Sequence, residues 1–396
     1  MGRRVGVGGG ASLVAVALAA SCNGTSPAPP LTDAVSVSVG STHACAVMGD
    51  GTARCWGEET FGQLGDGQQI GILPVPTSVA GLTDVKAVAA GASYSCALKA
   101  DGTVACWGGN VACQIGEGCA LAGIVGDQSS ALNVLSPTAV TGLTGPATAI
   151  QASGLGDDTP GFTCALLSDG TIECWGENLL GLGSDPNSAA IAPTAVAGVA
   201  GAVAMAVGGT FGCDLQSNGL VACWGLGPLG QPGTATSSYS ATPVVVPGLT
   251  AVKAIAAGWF HACALLDDGT VACWGDNSSG QLGDGTQSSS PTPVMVSNLG
   301  QAVAIATTAY GTCALVADGS VQCWGVDLAR LMPGAVPGVS GASALSVAEL
   351  STCAVVTGGE IRCWGDDSAG QLGDGVNPFD LSNPQSATPV TVVAGP

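Results

Sequence analysis

Beyond residue 34 the chain alternates short apolar runs with clusters of Gly, Pro, Asp and Asn, a rhythm of many short strands rather than long helices. It is clearest from His261 to Thr286, HACALLDDGTVACWGDNSSGQLGDGT. There A-C-A-L-x-x-D-G-T-V-x-C-W-G reads as two strands joined by a tight turn. A turn pair recurs at Asp50-Gly51, Asp101-Gly102, Asp169-Gly170, Asn218-Gly219, Asp268-Gly269, Asp318-Gly319 and Gly358-Gly359, supplying the positive φ a tight hairpin needs. A second strand pair runs from a Pro-x-x-Val segment (Pro243 to Val246, Pro293 to Val296) through Gly-Leu to an apolar strand such as Val252 to Ala257. Cysteines at 45, 96, 164, 213, 263, 313 and 353 open successive units, at steps of 51, 68, 49, 50, 50 and 40 residues. Seven units of four short strands predict an all-β, seven-bladed β-propeller. The chain enters at Val35-Ser-Val-Ser-Val and stops at a Pro-x-x-Val strand, so the ring is expected to close through N- and C-terminal strands sharing a blade.

Cysteine usage sharpens this picture. Of 17 cysteines, 14 form seven pairs of one spacing. These are Cys45 with Cys55, Cys96 with Cys106, Cys164 with Cys174, Cys213 with Cys223, Cys263 with Cys273, Cys313 with Cys323, and Cys353 with Cys363. In a hairpin centred on residue 268, positions 263 and 273 face each other within disulfide range. The same arithmetic holds in every unit, so each blade is expected to carry a cross-strand disulfide. Cys113 and Cys119 form an eighth pair inside an insertion. Zinc would need closer cysteine spacings or histidines, and only His43 and His261 are present. Paired cysteines at this density indicate an oxidising compartment. Trp56, Trp107, Trp175, Trp224, Trp274, Trp324 and Trp364 each follow a second cysteine and read as packing between units.

The N-terminus agrees with export. Residues 1–21 have the form of a signal peptide, with Arg3 and Arg4 ahead of an apolar Ala11 to Ala20 stretch. Leu18-Ala-Ala-Ser-Cys22 resembles a bacterial lipobox, with Leu one residue further from the cysteine than usual. Cys22 is the cysteine without a partner, which favours its lipidation. Ordinary cleavage after Ala17-Leu18-Ala19 is the alternative. Residues 22–34, Pro-rich and polar, form a tether, and 35–396 the propeller. The expected location is the outer membrane, on the periplasmic or the external side, with the lipid as the sole membrane contact. Although 46% of residues are hydrophobic and 9% charged, no later run approaches the ~18 apolar residues of a membrane helix. The formal charge of −20 argues against nucleic acid.

The pattern Gly-x-x-His-x-Cys-Ala-Leu, Asp-Gly-x-Val-x-Cys-Trp-Gly-x-Asn, Gly-Gln-Leu-Gly-Asp-Gly and Pro-x-x-Val resembles the regulator of chromosome condensation repeat over residues 35–396. It is strongest at Gly62-Gln-Leu-Gly65, Gly280-Gln-Leu-Gly283 and Gly370-Gln-Leu-Gly373. The resemblance implies a seven-bladed propeller, and the paired cysteines resemble secreted bacterial members. Nuclear members bind chromatin and drive nucleotide exchange on a small GTPase; an exported, acidic chain without a basic tail fits neither activity. A secreted bacterial relative inhibits β-lactamase through loops on one face, which shows what the scaffold can present. Fold alone assigns no function.

Candidate chemistry is sparse. His43 and His261 occupy a position filled elsewhere by Tyr94, Phe162, Phe211, Gly311 and Ser351, which marks packing rather than catalysis. Asp66, Asp284 and Asp374, with Asp276, Asp366 and Asp367 nearby, lack the ligand ladder of a calcium loop and read as turn caps. No metal, cofactor or catalytic residue is therefore assigned. Two features break the repeat. One is the insertion Val111 to Ala131, stapled by Cys113 and Cys119. The other is Trp259-Phe260, with Tyr310 one unit later, a candidate binding rim. The expected function is a monomeric binding module for an unidentified protein or an envelope or extracellular polysaccharide. The alternatives are a polymer-acting lyase or hydrolase and a purely structural surface protein.

Overall fold

A computed structural model describes residues 28–110, 115, 133–153, 161–177, 190–227, 239–325, 330–348, 350–376 and 385–395. The leader, Cys22, most of the tether, and the insertion with Cys113 and Cys119, apart from Ile115, lie outside the described residues. Every regular element among those described is a strand. They form seven four-stranded antiparallel sheets, each built from four consecutive strands. In blade 5 these are Val252–Ala257, His261–Leu266, Val271–Gly275 and Ser290–Met295. The two middle strands are buried almost throughout, which explains their near-continuous apolar sequence, while the fourth strand is partly exposed along its whole length.

The hairpin arithmetic holds in every blade. Cys45 lies opposite Cys55, Cys96 opposite Cys106, Cys164 opposite Cys174 and Cys213 opposite Cys223. Cys263 likewise faces Cys273, Cys313 faces Cys323 and Cys353 faces Cys363. All seven of these pairs form disulfides, with Cα separations of 4.0–4.1 Å. The turn is a three-residue loop: Gly269 N–H donates to the Leu266 carbonyl and Leu266 N–H to the Thr270 carbonyl. Positive φ falls on Gly269 (81°), and Asp268 instead caps the turn by accepting from Thr270 N at 2.9 Å and Thr270 Oγ1 at 2.6 Å.

The first strand of every blade touches the first strand of the next, and blade 7 touches blade 1, so seven inner strands enclose an axis. Closure differs from the sequence expectation of a shared blade. Blade 1 is complete from Ala34 to Ser78 and blade 7 from Ala344 to Thr391. The Pro-x-x-Val segment is the fourth strand of the blade it follows, so the chain enters at the start of a unit and both seam blades are whole. The seam is instead held by an antiparallel clasp. Leu31 N–H donates to the Val392 carbonyl at 2.8 Å and Ala394 N–H to the Pro29 carbonyl at 2.7 Å, around a bridge between Pro30 and Val393.

The core lies between blades rather than within them. Cys263, Leu265, Val271, Cys273 and Leu282 of blade 5 pack against Ala302, Ala314 and Trp324 of blade 6. Across the seam Trp56 packs among Cys353, Ile361, Cys363 and Leu372. Six of the seven repeat tryptophans are at most 1% exposed, so the sequence assignment of these residues to inter-unit packing holds.

Candidate functional site

The conspicuous polar residues of the repeat hold blades together. Trp324 Nε1 and Thr312 Oγ1, both in blade 6, donate to the Gln281 carbonyl of blade 5 at 2.9 and 3.0 Å. Because the Thr312 proton is committed there, His261 Nε2 is the donor in its 2.9 Å contact with Thr312 Oγ1. Blades 1 and 2 repeat this with Trp107, Ser95, Gln63 and His43. Both histidines are fully buried, and burial pulls their pKa values down to about 3 for His43 and about 4 for His261. They are neutral, enclosed structural groups, as the alternation with aromatics predicted.

The Gly-Asp-Gly aspartates likewise act as turn caps. Asp66 Oδ1 accepts from Gln68 N, Asp284 Oδ1 from Thr286 N and Asp374 Oδ1 from Val376 N, at 2.8–2.9 Å. Among the described residues no three His, Cys, Asp or Glu side chains gather into a metal-holding group.

The three predicted rim aromatics do come together. The Trp259 ring centroid lies 5.4 Å from Tyr310 and 6.3 Å from Phe260, the latter edge to face. All three are half-buried. Their place is the inner edge of the rim: Trp259 lines an axial cavity of about 120 Å³ walled by the ends of the first strands of all seven blades. Small residues, including Ser41, Ala92, Ser153, Gly208 and Thr308, make up the rest of that wall, so Trp259 is its one large side chain.

A second cavity, of about 500 Å³, was not anticipated from the sequence. It lies between blades 6 and 7 and is lined by Thr308, Thr312, Trp324, Leu350, Thr352 and Trp364, among others. In blades 1, 5 and 7 a Gly-Gln-Leu-Gly loop covers the next blade's tryptophan: Gln63 on Trp107, Gln281 on Trp324, Gln371 on Trp56. The sequence of blade 6 carries no Gly-Gln-Leu-Gly, with nine residues from Trp324 to Pro333 against nineteen from Trp274 to Pro293. Trp364 is accordingly 7% exposed. The shortened 40-residue step from Cys313 to Cys353 was the signal for this cleft. Thr308 lines both cavities, which makes them neighbours on one surface.

Two buried carboxylates were also unmarked in the sequence. Asp214 is fully buried with neither oxygen in a well-formed hydrogen bond, and burial pushes its pKa up to about 6, partly offset by Gln216. Glu59 is equally enclosed and unsatisfied; burial, then the neighbouring Asp66, push it up to about 8.

Architecture and site define a propeller whose repeated polar residues are structural and whose Trp259, Phe260 and Tyr310 cluster lies at the mouth of the axial cavity. Family profiles described as the regulator of chromosome condensation (RCC1) repeat match residues 34–63, 85–112 and 252–281, and residues 50–98 and 268–315. The chain carries RCC1 repeats at these residues, within a seven-bladed propeller. It is similar to the human probable E3 ubiquitin-protein ligase HERC3, with 39% identity over 82 residues, 20% of this chain and 8% of that protein. The regulator of chromosome condensation of Xenopus laevis is 34% identical over 84 residues, 21% of this chain and 20% of that protein. The matches thus span a fifth or less of these relatives. Among solved structures, Prp20p of Saccharomyces cerevisiae superposes with a TM-score of 0.71 at 20% identity, covering 92% of this chain and 87% of that one. Human WBSCR16 gives 0.68 at 20% identity, covering 85% and 94%. Prp20p was described with its binding to Gsp1p and histones, and a further structure shows it bound to Kap60. At these identities the likeness establishes the fold.

Proposed function

We propose that this protein is an exported, lipid-anchored interaction module that docks a partner protein on the axial surface of blades 5 to 7. The observation that carries this reading is the cluster of Trp259, Tyr310 and Phe260 at the channel mouth beside the cleft between blades 6 and 7. Half-buried aromatics held by rigid strands give large contact area at little entropic cost, and an adjacent pocket can seat one anchoring side chain. RCC1-type propellers are a common protein-interaction scaffold, which favours a protein over a polysaccharide. The charge of −20 favours a partner whose contact face is neutral or basic. Export is supported by the leader pattern and by seven disulfides of a kind that persists in an oxidising compartment. An enzymatic reading finds no support in the two histidines, which are sealed between blades.

Crosslinking on intact cells tests the docking surface. A partner band formed by the native protein is expected to disappear in the double variant Trp259→Ala with Phe260→Ala, and to persist in Met295→Ala, on the outer strand of the same blade. Survival of the band in the double variant would overturn the assignment. Mass spectrometry of the mature N-terminus tests the anchor, with a diacylglyceryl adduct expected on Cys22 and a free thiol refuting it.

A further inference from the structure

The loop after the third strand is built alike in blades 1, 5 and 7, but the polar residue at its heart changes: Glu59 in blade 1, Asn277 in blade 5 and, in blade 7, the shorter carboxylate Asp367, whose Oδ1 accepts from Leu372 N at 2.9 Å. In blade 5 it is Asn277, whose Oδ1 accepts from Leu282 N at 2.9 Å. Its Nδ2 sits in a nest of oxygens: Asp284 Oδ1 at 3.2 Å, the Thr286 carbonyl at 3.1 Å, Thr286 Oγ1 at 3.3 Å and the Ser288 carbonyl at 3.2 Å. An amide nitrogen, carrying two protons and partial positive charge, suits such a nest.

Blade 1 keeps the loop and replaces the amide by a carboxylate. Glu59 precedes Asp66 by the same seven residues that separate Asn277 from Asp284. The surrounding bonds recur. Phe61 N donates to Gln63 Oε1 as Ser279 N does to Gln281 Oε1, and Gln68 N to Asp66 Oδ1 as Thr286 N does to Asp284 Oδ1. Gln69 Nε2 reaches the Thr60 carbonyl as Gln287 Nε2 reaches that of Ser278. An acceptor therefore stands where the nest needs a donor. Glu59 is fully buried and lies against the Leu64 N–H, counterpart of Leu282 N, and the Asp66 carboxylate, with neither of its oxygens in a well-formed hydrogen bond. The one ion pair among the described residues joins Arg362 to Glu360, in blade 7.

Two species could resolve this arrangement. A single proton on Glu59 bridges one pair of oxygens and leaves the others without a counterpart. A hard cation satisfies carboxylates and carbonyls together, which is what oxygen-rich calcium sites do. We propose that this loop binds a divalent cation of the calcium class between the Glu59 and Asp66 carboxylates, with the Gln68 and Ile70 carbonyls, counterparts of those of Thr286 and Ser288, as further ligands. Two carboxylates and backbone oxygens form no cluster of three acidic or imidazole side chains, and the D-x-[DN]-x-[DN]-G spacing is absent, so neither signature would reveal it. The Gln63 amide nitrogen is also buried and unpartnered, and a turn of that side chain onto Glu59 is the competing explanation.

Calorimetric titration of calcium chloride into the oxidised, full-length protein at pH 7.5 tests the site, beside thermal melts with calcium and with chelator. The native protein is expected to show a binding isotherm and a melting temperature that rises with calcium concentration. Glu59→Gln is expected to abolish the isotherm at the loop and the calcium-dependent rise. Glu59→Asn, which copies blade 5, is expected to fold and to melt independently of calcium, and Asp318→Asn, at an exposed hairpin turn of blade 6, to leave the response intact. Two results would overturn the proposal: no calcium heat in the native protein, as a shared proton or a Gln63 contact requires, or an unchanged isotherm in Glu59→Gln.

Discussion

His43 donates to Ser95 of the next blade and His261 to Thr312, while Tyr94 meets Thr163. Where the first position is Phe162 or Phe211, the corresponding residue of the following blade is Gly212 or Ala262, without a hydroxyl. At these five interfaces polar residues are paired with polar residues, as the cost of an orphaned group requires; at the seam Ser351 corresponds to Ala44 and its buried Oγ has no partner. Asp214 breaks this rule at a position that is buried alanine in all six other blades: Ala46, Ala97, Ala165, Ala264, Ala314 and Ala354. Its pKa is raised to about 6, so the folded state holds this proton more tightly than the unfolded chain. Its effect on stability is absent below about pH 4 and grows unfavourable as pH rises to about 6. Asp214→Ala is expected to raise stability at pH 7.5 by about 2 kcal/mol and to leave it unchanged near pH 3.5, as denaturant melts at the two pH values will report. The histidines act oppositely, since their lowered pKa values favour the folded state above about pH 6.5, an advantage lost as pH falls toward 3–4. The structural role of His43 and His261 was legible because repetition exposed it. Asp214 and Glu59 were not, because a single substitution in a repeat does not reveal whether its side chain is enclosed.

A blade's hairpin was almost wholly legible: a sequence separation of ten between cysteines and a glycine at the turn determine the register. What spacing could not show is that the loop after the third strand belongs, in packing terms, to the next blade. Gly283 has φ of +70°, and a Cβ there would lie 2.6 Å from Trp324 Nε1; Gly65 and Gly373 stand in the same relation to Trp107 and Trp56. Gly283→Ala is expected to lower stability by several kcal/mol through backbone strain and displacement of Trp324, with a red-shifted tryptophan fluorescence as the independent sign. Losing one staple should cost less. The double variant Cys263→Ala with Cys273→Ala removes a crosslink closing a ten-residue separation. It is expected to lower stability by about 2–3 kcal/mol in denaturant melts, without loss of the fold. A sequence reading that assigns each loop to its own unit misses the cleft between blades 6 and 7 for the same reason. The cleft is lined by Trp364, and the sequence of the preceding blade 6 carries no Gly-Gln-Leu-Gly.

At the scale of the ring, the number of blades followed from the number of units, whereas the mode of closure did not. Strand periodicity is the same wherever a unit is said to begin, so it could not tell a shared blade from seven complete ones. The clasp of residues 29–31 with 392–394 has a consequence for connectivity. Every sheet is continuous in sequence, and every described disulfide lies within one hairpin, so among the described residues no strand pairing or crosslink ties the order of the blades to the place where the chain is cut. A circular permutant made by joining residue 395 to residue 28 and opening the backbone at Gly248, between blades 4 and 5, is expected to refold with all seven bridges and a melting temperature within a few degrees of the parent. The seam where blade 7 meets blade 1 is then an accident of numbering, and the ring is mechanically seamless.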